Sequence, residues 1–150
     1  MLSDSDKQVS QWKIEFYQLP DGSSPVLAWF REQEPKVQAK VAQIFDLLQE
    51  YGTSVGMPYV RSLTASKLFE IRAEVDTNIY RILYFAYTGK RFILLHGFQK
   101  KTQKTPKQEL ETAKNRLKAF LDREKQLSPT SVTKKTKSKK RKSRKQGKNK

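Results

Sequence analysis

Apolar and polar side chains alternate from Trp12 onward: Trp12, Ile14 and Phe16 fall on one side and Lys13, Glu15 and Tyr17 on the other. This period of two is the pattern of a half-buried strand. It stops at Pro20-Asp21-Gly22. Ser24 before Pro25 reads as an N-cap with proline at the first helical position, so a short helix is predicted from Pro25 to about Arg31, presenting Val26, Leu27, Trp29 and Phe30. Val37, Val41, Ile44, Leu48 and Tyr51 then recur at helical spacing, and Gly52 sits where a left-handed cap is expected. Two helices of this kind need a sheet to cover.

The sheet comes next. Phe69, Ile71, Ala73 and Val75 fall on one face, with Glu70, Arg72 and Glu74 on the other. Ile79 to Tyr87 and Arg91 to Phe98 read as two further strands, set apart by Asp76-Thr77-Asn78 and Thr88-Gly89-Lys90. The short connections make the three an antiparallel meander. Thr105-Pro106-Lys107-Gln108 combines a capping box with an N-terminal proline, and Leu110, Ala113, Leu117 and Phe120 give a closing helix its apolar stripe. The order strand, two helices, three strands, helix makes the fold class α+β on a small antiparallel sheet.

Charge changes this picture at one end. Of the 31 Lys and Arg residues, 11 lie in residues 128 to 150 beside no acid, so residues 1 to 127 hold 20 basic against 15 acidic groups, a net +5. Val132 is the only aliphatic side chain in that final stretch, which is expected to be a disordered tail after a single domain over residues 11 to 127, with residues 1 to 10 a flexible start. The longest apolar run, Ile82 to Tyr87, is far short of the roughly 20 residues of a membrane helix. A cytoplasmic, membrane-free protein is expected. With no cysteine and one histidine, thiolate chemistry and multi-histidine metal centres are excluded, and no metal or cofactor is expected. Chemistry falls to Arg, Lys, Tyr, Glu, Asp or the lone His96.

Two patterns stand out as candidate chemistry. If Asp76-Thr77 is a two-residue hairpin loop, Arg72 lies directly across from Arg81 on one face. Like charges so placed cost up to about 1 kcal/mol. A phosphate would turn that cost into a binding site; Glu70 and Glu74, diagonal neighbours on the same face, would alternatively neutralise the pair as a surface network. From His96 to Lys107 the chain carries Lys100, Lys101, Lys104 and Lys107 without an acid, just before a helix N-terminus. That combination favours a polyphosphate backbone, or else is a solvated loop. His96 alternates with Phe92, Leu94 and Phe98, as an imidazole at the edge of the core would. The basic tail is suited to sequence-independent nucleic-acid affinity.

The strings Leu68-Phe69-Glu70-Ile71-Arg72, Tyr80-Arg81-Ile82-Leu83-Tyr84-Phe85, Leu94 through Pro106 and Glu109 through Lys114 closely resemble the phage-derived Gp49-like, HigB-type branch of the RelE/ParE toxin superfamily, over about residues 11 to 122. The resemblance implies a RelE-like fold and the toxin of a type II toxin-antitoxin pair. It implies a ribonuclease that enters the ribosomal A site, cleaves mRNA by attack of a 2′-hydroxyl on the adjacent phosphate, uses no metal, and is held inactive by an antitoxin with a helix-turn-helix DNA-binding domain. Carried over by motif position, Arg72 and Arg81 would clamp the scissile phosphate with Lys101 as a further catalytic residue, and Lys67, Lys100, Lys104, Lys107 and His96 would contact RNA. RelE places additional basic residues on the strand corresponding to Leu68 to Arg72 and a tyrosine in its C-terminal region, whereas this chain has Glu70 in that strand and no tyrosine after Tyr87. The general acid and base are therefore unassigned, with His96 and Lys101 as candidates. The ParE side of the superfamily implies the alternative of a non-catalytic DNA gyrase binder. A general nucleic-acid-binding protein working through its tail is the third reading.

Overall fold

A computed structural model describes residues 11–63, 66–100 and 105–127. Its elements are β1 (Lys13–Phe16), α1 (Pro25–Arg31), α2 (Pro35–Tyr51), a 3-10 turn (Gly52–Ser54), β2 (Val60–Ser62), β3 (Phe69–Val75), β4 (Asn78–Tyr87), β5 (Arg91–Lys100) and α3 (Lys107–Leu127). The chain divides after Arg116, within α3, into two compact units. In the second, the described helix runs to Leu127, with Phe120 buried and Leu127 exposed. The first holds β1 to β5, α1, α2 and the start of α3.

Its α+β architecture agrees with the expected RelE-like order of elements, with two differences in the sheet. The sheet has five strands in the order β1-β5-β4-β3-β2, because Val60–Ser62 adds an edge strand antiparallel to β3. It is also mixed, since β1 pairs parallel to β5. Glu15 fastens that junction by a two-pronged ion pair to Arg91, Oε2 to Nε at 2.6 Å and Oε1 to Nη2 at 2.9 Å. Such planar pairs are geometrically specific as well as attractive. The β3-β4-β5 meander forms as expected, and Val75 faces Asn78 across the Asp76-Thr77 loop.

Each helix forms for a local reason. The Ser24 hydroxyl accepts from the Leu27 amide and Pro25 presets the first turn of α1. In α2, Val37, Val41, Ile44 and Leu48 are buried, whereas Tyr51, expected on the same stripe, is exposed at the last residue. Gly52 follows with φ +60°, and a Cβ there would lie 2.3 Å from the Trp12 indole nitrogen, so both conformation and space demand glycine. α1 and α2 bury one sheet face: Ile71, Ala73, Tyr80, Ile82, Tyr84, Phe92 and Leu94 join the helices' apolar residues in one core.

The opposite face holds Leu83, Phe85, Ile93, Leu95 and Phe98, all buried. A register shift in β5 makes it continuous: Leu83 pairs with His96 but Tyr84 pairs with Leu94, leaving Leu95 as the extra residue of a bulge. His96 and Phe98 are therefore on the face away from Phe92 and Leu94, which corrects the simple alternation read from the sequence. No described helix is long and apolar enough to cross a membrane.

Candidate anion-binding site

Strand register assembles the site. On β3 and β4, Arg72 lies directly opposite Arg81, as the two-residue loop required. On the other side of β3, Arg61 of β2 lies directly opposite Glu70. Glu70 and Arg72 are two apart on one strand, so all four side chains start from the same face, the one without α1 and α2.

They converge on the carboxylate. Glu70 Oε1 is 3.1 Å from Arg61 Nη2 and 3.8 Å from Arg72 Nε, and Glu70 Oε2 is 3.2 Å from Arg81 Nη1. The Thr105 hydroxyl donates to Glu70 Oε2 at 2.5 Å and lies within 3.5 Å of both Arg61 Nη2 and Arg81 Nη1. Glu70 and Arg81 are completely buried, Arg72 is 13% exposed and Arg61 33%. Among the described residues, three guanidiniums thus gather around one buried carboxylate.

The expected surface network is corrected by this burial. Glu70 does pair with the arginines, but from inside, whereas Glu74 is exposed and Arg81 reaches no solvent. Thr105, expected as the cap of α3, turns its hydroxyl to Glu70 instead. Burial pushes the Arg81 guanidinium below its ordinary pKa, against the opposing pull of Glu70, and Arg72 and Arg61 push the same way as burial. Arginine stays cationic at physiological pH regardless.

A cavity of about 290 Å³ adjoins the cluster, lined among the described residues by Arg61, Ser62, Leu63, Ser66, Thr105, Leu110 and Lys114. It shares Arg61 and Thr105 with the charge cluster. Beyond it, His96 Nε2 lies 2.6 Å from Glu109 Oε1, and Arg116 Nη1 lies 3.4 Å from His96 Nδ1 while donating to the Leu95 carbonyl at 2.8 Å. Both imidazole nitrogens therefore face partners on α3, and an RNA contact by His96 requires giving one up.

The structure brings Arg72 and Arg81 together. Lys67 is exposed in the bend before β3, and Lys107 is exposed at the start of α3. Lys100 ends β5 opposite Ile79, its side chain lying outside the description, and Lys101 and Lys104 lie outside the described residues altogether. Sequence reasoning missed Arg61, the bond from Thr105 to Glu70, and Lys114. Arg61 sits in a three-residue strand too short for a periodic signal, and its partner Glu70 is set by strand pairing. Among the described residues no three His, Cys, Asp or Glu are grouped to hold a metal.

Residues 28–118, which include Arg61, Glu70, Arg72, Arg81, Thr105 and Lys114, match the model of a family described as phage-derived protein Gp49-like. No curated protein matches the chain.

Proposed function

The chain belongs to the Gp49-like phage-derived family of the RelE/HigB-type toxin group, and from that premise we propose that it is the toxin of a toxin-antitoxin pair acting as a ribosome-dependent mRNA endoribonuclease. The observation that carries this reading is the Arg72–Arg81 pair, facing each other across β3 and β4 and joined by Arg61 around one buried carboxylate. Facing guanidiniums offer planar, permanently charged forks, the geometry suited to a phosphate whose negative charge grows during reaction.

In the reaction, the RNA 2′-oxygen forms a bond to the adjacent phosphorus, and the bond from phosphorus to the 5′-oxygen of the next nucleotide breaks. The products are a 2′,3′-cyclic phosphate and a 5′-hydroxyl; one proton leaves the nucleophile and one reaches the leaving oxygen. Arg72, the partly exposed member of the facing pair, meets the phosphate and stabilises its growing negative charge. Arg81 acts from beneath, fixing Glu70 on the face that Arg72 shares. Lys101, with Lys100, Lys104, Lys107 and Lys67, remains proposed for flanking phosphates and proton transfer. The ribosomal A site and a helix-turn-helix antitoxin are the proposed partners, and the cytoplasm the proposed location.

The test adds purified protein to a translating cell-free system, to naked mRNA and to a gyrase supercoiling reaction. New RNA 5′ ends inside translated codons, seen only with ribosomes and lost in Arg72→Ala, are the expected result. Intact mRNA with inhibited supercoiling would move the function to gyrase binding.

A further inference from the structure

We propose that the cavity between β2 and the start of α3 is a second phosphate subsite, which takes the RNA phosphodiester next to the one met by Arg72. The inference rests on the ribonuclease reading for the ligand's identity as RNA, but the affinity of the cavity for phosphate is measurable without cleavage.

Four observations carry it. The cavity has a cation on each of two walls, Arg61 from β2 and Lys114 from α3, and no acidic residue lines it among the described residues. Lys114 is exposed and has no ion pair among the described residues, so its ammonium is available. The walls are preformed: the Ser66 hydroxyl donates to the Leu63 carbonyl at 3.1 Å and accepts from the Leu68 amide at 3.2 Å, fixing the bend, while Thr105 is buried and tied to Glu70. Leu63 and Leu110 add an apolar wall suited to a ribose or base edge, and 290 Å³ is at the small end of ligand pockets, a size for one nucleotide unit.

Arg61 links the two positions. Its Nη2 is committed to Glu70 and Thr105, and the same side chain lines the cavity. A backbone crossing from Arg72 toward the β2 edge therefore meets Arg61 next and Lys114 beyond it. Guanidinium and ammonium groups on either side of a phosphate give charge-assisted hydrogen bonds, the strongest kind such a wall can offer.

The full chain is titrated separately with inorganic phosphate and with a trinucleotide of all-2′-deoxy sugars, which cannot be cleaved, while backbone amide NMR shifts are followed. Local amides are the readout because lysines of the tail bind any polyanion. Shifts at Leu63, Ser66 and Leu110, saturating at lower concentration for the trinucleotide than for phosphate, are expected. Lys114→Glu should weaken the trinucleotide's apparent Kd roughly tenfold or more, the size of losing one charge-assisted hydrogen bond, and Lys114→Ala should weaken it less. Silent amides at these positions, or affinity indifferent to both variants, overturn the subsite. A trinucleotide no tighter than inorganic phosphate overturns the RNA assignment. If these amides respond while translated mRNA stays whole, the ribonuclease reading fails and the subsite stands.

Discussion

Glu70 is a single carboxylate holding three guanidiniums without contact with water, and its neighbours differ in what they expose. Removing a partner from a buried pair leaves an uncompensated charge at a cost of about 3–5 kcal/mol. Arg81→Ala should approach the lower end, about 3 kcal/mol, because Arg61 and Arg72 remain beside the carboxylate. Urea unfolding followed by circular dichroism measures it, and an unchanged midpoint would show that Arg81 does not hold Glu70. Arg72→Ala takes away a group 13% exposed and 3.8 Å from the carboxylate, so it should cost less stability than Arg81→Ala while abolishing cleavage. A variant as unstable as Arg81→Ala would make Arg72 a structural residue. The Arg72–Arg81 facing was legible because a two-residue loop dictates register. The partners of Glu70 were not, because Thr105 lies 35 residues later, before α3, and Arg61 on a separately paired strand.

Among the strands, β5 carries a steric demand that only glycine meets. Gly97 faces α1, where an added Cβ would come within 2.6 Å of the Trp29 ring. Gly97→Ala should therefore destabilise by about 1–3 kcal/mol through overpacking, read as a lowered thermal midpoint; an unaltered midpoint would mean that Trp29 shifts freely. At the other end of α1, Ser24→Ala removes a capping acceptor and should cost about 1 kcal/mol in the same assay. These helices and the three long strands were readable from periodicity and capping residues. The Leu95 bulge was not: apolar residues stand on both sides of it, Ile93 and Leu94 before and Phe98 after, so either phase satisfies the pattern. The parallel pairing of β1 and the three-residue β2 escaped for a related reason, since neither a partner strand nor a very short strand leaves a period in its own sequence.

For the whole molecule, charge separates affinity from chemistry. The 11 basic residues between positions 128 and 150 lie outside the described residues and outside the matched family segment, whereas Arg61, Glu70, Arg72 and Arg81 lie within it. Removing residues 128 to 150 should weaken RNA binding and flatten its dependence on salt, because fewer counterions are released, while cleavage on ribosomes persists. Loss of all cleavage in that truncation would instead favour a binding protein that works through its tail. The most direct measurement uses ribosomes programmed with a 5′-labelled mRNA and an open A site, incubated with excess wild-type protein or Arg72→Ala. The account predicts one cut in the A-site codon, ending in a 2′,3′-cyclic phosphate, with the wild type alone. An uncut message, or an equal cut by the variant, would contradict it.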